Sequence, residues 1–145
     1  MDPQSIATTS LSLVQLCNKT RNSLNSLTVK NVAPLIAALA REIASLSQVL
    51  NSIYESFNIH SLADAALGSQ YGNEHWRNVQ QAMEDCRETL KTLEWRLEEV
   101  EDSQKGLFAF MKNADNLHST ESSFIELQIG TYREAMQLSL QLMIL

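Results

Sequence analysis

The sequence predicts an all-α protein, an antiparallel four-helix bundle, on three observations. Helix-breaking residues are scarce, with 4 glycines and 2 prolines among 145 residues. Apolar residues make up 44% of the chain, which suits a globular domain with its own core. They recur at steps of three and four in four long stretches, which is the spacing of one helix face. We therefore expect a single domain over residues 1–145.

The first helix is expected to begin near Asp2 and Pro3, because aspartate is a good N-cap and proline is favoured in the first turn. It is expected to reach about Val29. No side chain from Pro3 to Asn18 is charged. A helix with so weak a polar face is equally suited to a bundle core, a partner helix or a membrane surface. Its apolar face comprises Ile6, Leu13, Leu16, Cys17, Leu24 and Leu27, and Leu11 and Val14 widen that face.

The second and third helices are predicted from two stripes with alternating steps of three and four. Asn31 is expected to cap the second helix, with Pro34 in its first turn. Asn73 and Glu74 are expected to open the third helix. The stripes are Val32, Ile36, Leu39, Ile43, Leu46, Leu50, Ile53 and Phe57 in the second helix, and Trp76, Val79, Met83, Cys86, Leu90, Leu93, Leu97 and Val100 in the third.

Residues 58–73 lose this pattern and are expected to form a connection, with one short helical segment from Leu62 to Leu67. The fourth helix should begin between Asn113 and Thr120 and reach the C-terminus. Because the apolar run from Leu138 ends abruptly, we expect the chain to be the N-terminal domain of a longer protein. The core stripe predicted for this helix is Leu117, Phe124, Leu127, Thr131, Ala135, Leu138, Leu142 and Leu145, with Ile129, Tyr132 and Met136 beside it.

Charge and targeting signals exclude several classes. The net charge is −6 and no Lys/Arg cluster occurs, which argues against nucleic acid as a partner and against a polybasic lipid anchor. Asp2 stands where a signal peptide would carry a basic residue. Serine, threonine and glutamine interrupt the first helix too often for a membrane span. Cys17 and Cys86 fall on apolar stripes, as buried thiols of a reducing compartment do. We expect a soluble cytoplasmic protein.

The residue types that form catalytic and metal sites do not occur here at the spacings that such sites need. The three histidines, His60, His75 and His118, are not spaced with a cysteine or carboxylate as metal ligands would be. Glu84 and Glu88 lack the Glu-x-x-His pattern of di-iron bundles. No glycine-rich phosphate loop and no G-x-S-x-G motif occurs. The sequence therefore predicts no enzyme, no metal and no cofactor, with His75 beside Trp76 the nearest to a candidate.

An acidic run closes the third helix, at the negative end of its dipole. It has two interpretations, a solvated face or a docking surface for a basic partner segment. The run consists of Glu98, Glu99, Glu101 and Asp102.

Four segments resemble one family. The opening MDPQSIATTSLSLVQLC is similar to the start of fungal HeLo-like N-terminal domains, which begin Met-Asp-Pro-x-Ser-Ile-Ala and also appear under the name of an azaphilone pigment cluster protein. APLIAALAREIASLSQVLNSI, AMEDCRETLKTLEWRLEE and ELQIGTYREAMQLSLQLMIL resemble the second, third and closing helices of that family. The resemblance covers nearly the whole chain. GLFAFMKNAD departs from it, because this segment lacks the basic character often found there.

The resemblance implies an N-terminal effector or signalling domain of a fungal NOD-like (STAND) receptor. In such receptors, oligomerisation releases the first helix to permeabilise the plasma membrane, which produces regulated cell death in heterokaryon incompatibility or innate immunity. The implied partners are further copies of the chain, membrane lipid and downstream receptor domains. The alternative is a non-lytic interaction or oligomerisation module whose first helix stays in the core. The candidate membrane-acting residues are Ile6, Leu11, Leu13, Val14 and Leu16.

Overall fold

The part of the chain that the structure describes is almost entirely helical. A computed structural model describes residues 3–25, 33–68, 70–102 and 119–144, and these residues form five α-helices and no β-strand. Side chains at 33–36, 60, 70–71, 96–102, 119–124 and 142–144 lie outside that description. The helices are α1 (Pro3–Asn25), α2 (Ala33–Phe57), α3 (His60–Leu67), α4 (Gln70–Asp102) and α5 (Ser119–Ile144).

Where the structure describes them, the helix boundaries lie within about two residues of the prediction, except at the start of α4. Pro34 is the second residue of α2, where proline removes no intrahelical hydrogen bond. α3 is the helical segment expected inside the connection, and it begins two residues earlier than predicted. α4 begins at Gln70, three residues before Asn73, so Gly72 lies in its first turn. A glycine there costs only about 1 kcal/mol of helix propensity, and assigning it to the connection was wrong. The predicted end of α1 at Val29 and the cap at Asn31 lie outside the described residues.

The four long helices pack around a common core. α1 packs mainly against α2 and α4, α5 packs mainly against α2 and α4, and α3 contacts α2, α4 and α5. Along α1 and α4 the contacts advance together, from Ser5 with Gln80 to Ser23 with Glu94. These two helices therefore run in the same direction, as the first and third helices of an antiparallel four-helix bundle also do.

α4 and α5 are antiparallel. His75 near the start of α4 contacts Ser139 near the end of α5. At the same end of the molecule Phe57, the last residue of α2, meets Trp76 edge to face, with ring centroids 4.7 Å apart. Such a pair contributes about 0.5–1.5 kcal/mol beyond its buried area. The short helix α3 connects α2 to α4 at this end of the molecule. α2 itself packs mainly against α1 and α5 rather than α4.

The core matches the predicted stripes of α2 and α4. From Leu39 to Phe57 and from Trp76 to Leu93, every stripe residue is buried. α1 buries four of its predicted residues, which are Ile6, Leu13, Cys17 and Leu24.

The stripe predicted for α5 lies on the wrong face. Leu127 and Leu138, two of its members, are 68% and 61% exposed. α5 instead turns a second stripe inward, also with steps of four and three. This helix has two stripes with apolar residues at helical spacing. The buried stripe is the less regular of the two in the sequence, because one of its positions is a serine. The inward residues are Ile125, Ile129, Tyr132, Met136 and Ser139.

Candidate functional site: the first helix and its contact with α4

α1 turns one buried seam toward its neighbours. Its six residues are spaced by steps of four and three in strict alternation, as in a knobs-into-holes seam. Three of them are large and apolar, whereas the other three are small and carry a hydroxyl or thiol group. The matching seam of α2 has a large apolar residue at each of its positions from Leu39 to Phe57, with the smaller Ala40, Ser47 and Ser56 buried beside it. Because stabilisation follows buried apolar area, α1 gains less from its seam than α2 does. The α1 seam is Ile6, Ser10, Leu13, Cys17, Thr20 and Leu24.

The two buried hydroxyl groups of the seam find their acceptors inside α1. Ser10 Oγ donates to the carbonyl oxygen of Ile6 at 2.8 Å, and Thr20 Oγ1 donates to that of Leu16 at 2.8 Å. Across the interface Ser10 Oγ lies 3.9 Å from the Met83 sulfur. Buried polar groups need hydrogen-bond partners. Both acceptors here belong to α1 itself, so the two bonds do not depend on contact with α4. Separating α1 from α4 therefore leaves neither hydroxyl without an acceptor.

Three serine side chains of α1 form hydrogen bonds with α4, beside an ion pair of Lys19 with Glu94 at 3.9 Å. Gln80 Nε2 donates to Ser5 Oγ at 3.0 Å. Ser23 Oγ donates to Glu94 Oε1 at 3.1 Å, near the other end of the interface. A hydrogen bond of this kind contributes only about 0.5–1.5 kcal/mol net, somewhat more when one partner is charged. Between these two lies a third link, from Arg87 Nη2 to Ser12 Oγ at 3.0 Å.

The two thiols lie in the same core region, one on each helix. Cys17 and Cys86 are both fully buried and unpaired. Burial raises the pKa of Cys17 to about 12, and the positive charge of Arg21 opposes that rise. Burial also raises the pKa of Cys86 to about 12, with a further contribution from Cys17. Thiols in such surroundings are inert, so neither is a nucleophile in this conformation.

The candidate membrane-acting residues are not presented to solvent as a group. Ile6 and Leu13 are fully buried, whereas Leu11, Val14 and Leu16 are half-buried. The sequence missed Ser10 and Thr20 as core positions, because hydroxyl residues suggest an outer face. The regular alternation of steps through Ile6, Leu13 and Leu24 was the signal that could have found them.

The acidic run has its backbone in the last turns of α4. Its side chains lie outside the described residues, so the structure assigns them no contact. The run is Glu98, Glu99, Glu101 and Asp102.

His75 belongs to a serine–histidine pair that the sequence did not reveal. Its Nε2 lies 2.9 Å from Ser139 Oγ. Ser139 Oγ also donates its single proton to the carbonyl oxygen of Ala135 at 2.9 Å. The tautomer of His75 decides which group donates between them, and both contacts of Ser139 are satisfied together only when His75 Nε2 is the donor. A general base needs the opposite arrangement, in which the histidine accepts the serine proton. The pair as it stands joins α4 to α5.

The comparisons with known proteins add no relative. No family model, no curated protein and no solved structure matches this chain. Within the described ranges no helix is both long enough and apolar enough to cross a membrane. The same residues contain no group of three or more metal-ligating side chains close enough together to hold an ion.

Proposed function

We propose that this chain is a HeLo-like four-helix bundle that serves as the N-terminal effector domain of a fungal NOD-like receptor. In this proposal it acts in regulated cell death. Oligomerisation brings several copies of the domain together at the plasma membrane, and each copy delivers its first helix to the lipid. The resting cytoplasmic form keeps that helix in the bundle.

One observation supports this proposal beyond the resemblance of the sequence. Half of the buried seam of α1 is small or polar, and its hydroxyl groups are satisfied within the helix. Residues 3–18 also contain no charge that would have to be desolvated in lipid. A helix whose hydroxyl groups keep their acceptors on leaving the core, and which meets no charge penalty on entering an interface, suits conditional release. Oligomerisation raises the local concentration of such helices at a membrane.

The test is dye leakage from phosphatidylcholine–phosphatidylserine vesicles, with the domain fused to a C-terminal coiled coil that forces oligomers. Leu13→Glu would disrupt the resting core, because Leu13 is fully buried. Thr8 and Gln15 are exposed instead, so Thr8→Glu/Gln15→Glu adds two charges to α1 without disturbing its packing. We expect forced oligomers to leak dye and this variant to lose that activity.

The matched control is Gln48→Glu/Asn78→Glu, which adds the same two charges at exposed positions of α2 and α4. It should leak like the unmodified oligomer. A second test joins α1 to α4 through Ser5→Cys/Gln80→Cys and a short bis-maleimide, since these side chains are in contact. The cross-link should abolish leakage. If forced oligomers leak no dye, or if the α1 charges leave leakage unchanged, the lytic mechanism is wrong.

The alternative function is a non-lytic interaction or oligomerisation module, and the surface of α5 favours it. Leu127 and Leu138 are eleven residues apart, about three turns, and so share one exposed face. Leu127 also borders a groove of about 310 Å³ between α2 and α5, beside Glu42 and Arg133. Two exposed leucines on one face offer apolar area that a partner or a second copy of the chain could cover. In this function α1 stays in the core.

Sedimentation at increasing concentration distinguishes the two functions. If the module is non-lytic, Leu127→Ser/Leu138→Ser should weaken self-association while vesicles stay intact with every variant. Thr8→Glu/Gln15→Glu, which changes only α1, should then leave association unchanged. Association that survives the α5 substitutions would exclude this surface.

A further inference from the structure

Glu94 is a buried carboxylate at the contact between α4 and α1. It is only 7% exposed. Its Oε1 accepts a hydrogen bond from Ser23 Oγ at 3.1 Å and lies 3.9 Å from Lys19 Nζ. Its Oε2 is buried without any hydrogen-bond partner. One oxygen thus receives both contacts of α1, and the other receives none.

These contacts do not balance the cost of burying the charge. An ionised carboxylate accepts about four hydrogen bonds in water, and an unsatisfied charged group in an interior is expensive. The Lys19 side chain is 63% exposed, so solvent screens its attraction for Glu94. A buried carboxylate with one hydrogen bond and one screened counter-charge is a case in which desolvation outweighs the Coulombic gain. When α1 moves away, water reaches Glu94 and this cost disappears.

We propose that Glu94 is a release device: its half-paired carboxylate destabilises the closed α1–α4 contact and so keeps α1 detachable. Its position fits this role, because it faces Lys19 and Ser23, just beyond the uncharged stretch 3–18. The seam and the serine hydrogen bonds hold that stretch against its neighbours. At the charged end of the contact, the unsatisfied carboxylate favours separation of α1 from α4. The consequence for membranes rests on the proposed function, but the opening of α1 itself does not.

The two buried thiols provide the measurement without any lipid. Cys17 lies on α1 and Cys86 on α4, and both become accessible to a thiol reagent when α1 leaves. We expect Glu94→Leu to slow the reaction of native protein by about tenfold or more, toward the lower end of what apolar replacement of a buried ion yields. Glu94→Gln keeps an acceptor for Ser23 and should slow the reaction less. Glu88→Gln, at an exposed position of α4, should not change it.

Urea separates opening of α1 from unfolding of the whole domain. Local opening exposes less surface, so its rate depends less on urea than global unfolding does. We expect the unmodified protein to react through this weakly urea-dependent route, and Glu94→Leu to suppress that route. Thiols that react only through global unfolding, or that react as fast or faster in Glu94→Leu and Glu94→Gln, overturn the inference.

The vesicle assay then keeps the two proposals apart. With forced oligomers, Glu94→Leu should reduce leakage if the lytic function is correct. If the thiols slow as expected but the unmodified oligomer never leaks, the release device stands and the membrane function fails. If the unmodified oligomer leaks dye but Glu94→Leu reacts with the thiol reagent at the same rate as the unmodified protein, the function stands and the release device fails.

Discussion

Arg133 of α5 donates its Nε–H to Oε1 of Glu42 in α2 at 2.6 Å, and the two side chains are only 25% and 21% exposed. This hydrogen bond raises the pKa of the Arg133 guanidinium above its ordinary value. The link joins α2 to α5 and involves no residue of α1. Departure of α1 would therefore leave this pair of helices tied together. The links of α1 to α4 are instead serine hydrogen bonds and the solvent-screened ion pair of Lys19 with Glu94.

We expect Glu42→Ala to lower the free energy of unfolding by about 1–2 kcal/mol, because the bond is charge-assisted and partly shielded from water. Arg133→Ala should cost a similar amount. The double variant should cost clearly less than the two single variants together, since either change already breaks the bond. Urea unfolding of the four proteins measures this coupling. Additive losses would show that the two residues act independently.

Gly130 lies against the same carboxylate. A Cβ at this position would come within 3.3 Å of Glu42 Oε1. Alanine gains about 1 kcal/mol of helix propensity over glycine, but here it must displace an oxygen that Arg133 holds. We expect Gly130→Ala to be nearly neutral in the natural chain and stabilising by about 1 kcal/mol beside Glu42→Ala. Thermal unfolding compares the two backgrounds, and an equal effect in both would rule out this contact as the cause.

The buried faces of α2 and α4 were predicted correctly from the spacing of their apolar residues. The other helices show where that spacing does not identify the buried face. In α2 and α4 one stripe of large apolar residues stands out, so periodicity identifies the buried face. In α5 the exposed Leu127 and Leu138 are as apolar as the buried Ile129 and Met136. Only tertiary packing decides between such stripes.

The prediction of the candidate site was incomplete for a different reason. Ser10 was not among the residues predicted for the apolar face of the first helix, yet its bond to Ile6 satisfies its hydroxyl group inside the core. Glu94 follows Leu93 on an otherwise charged helix, and nothing in its sequence context marks it as buried. A buried charge depends on which neighbouring helix covers it, and composition and spacing do not contain that information.

The seam of α1 should tolerate changes at its hydroxyl residues better than at its leucines. Thr20→Val keeps the side-chain shape and removes a hydroxyl that bonds only within α1, so we expect a change of less than about 1 kcal/mol in unfolding free energy. Leu13→Ala should cost about 2–5 kcal/mol, because it empties part of the core. Urea unfolding provides both values. A cost for Thr20→Val as large as that for Leu13→Ala would mean that the hydroxyl is essential to the interface.

The pair of His75 and Ser139 predicts one tautomer. Because Ser139 donates to Ala135, the neutral imidazole should carry its proton on Nε2. Nitrogen-15 NMR of the histidine side chain distinguishes the two tautomers directly. Ser139→Ala removes the acceptor and should reduce the preference. A neutral imidazole protonated on Nδ1 in the unmodified protein would instead make His75 the acceptor, as a general base requires.

The buried thiols should make the fold sensitive to alkali. In the folded protein burial raises the pKa of Cys17 and Cys86 from 9.0 to about 12, so both stay protonated while the unfolded chain begins to ionise near pH 9. Above that pH the unfolded state binds fewer protons than the folded state, and stability therefore falls as the pH rises toward about 12. One unit above the unfolded pKa, each thiol costs about 1.4 kcal/mol. Cys17→Ala/Cys86→Ala removes this loss, so its stability relative to the natural chain should improve by about 3 kcal/mol between pH 8 and pH 10. Met83→Ala, a buried change with no titrating group, should show a constant difference over the same range, and a constant difference for the cysteine variant would contradict the prediction.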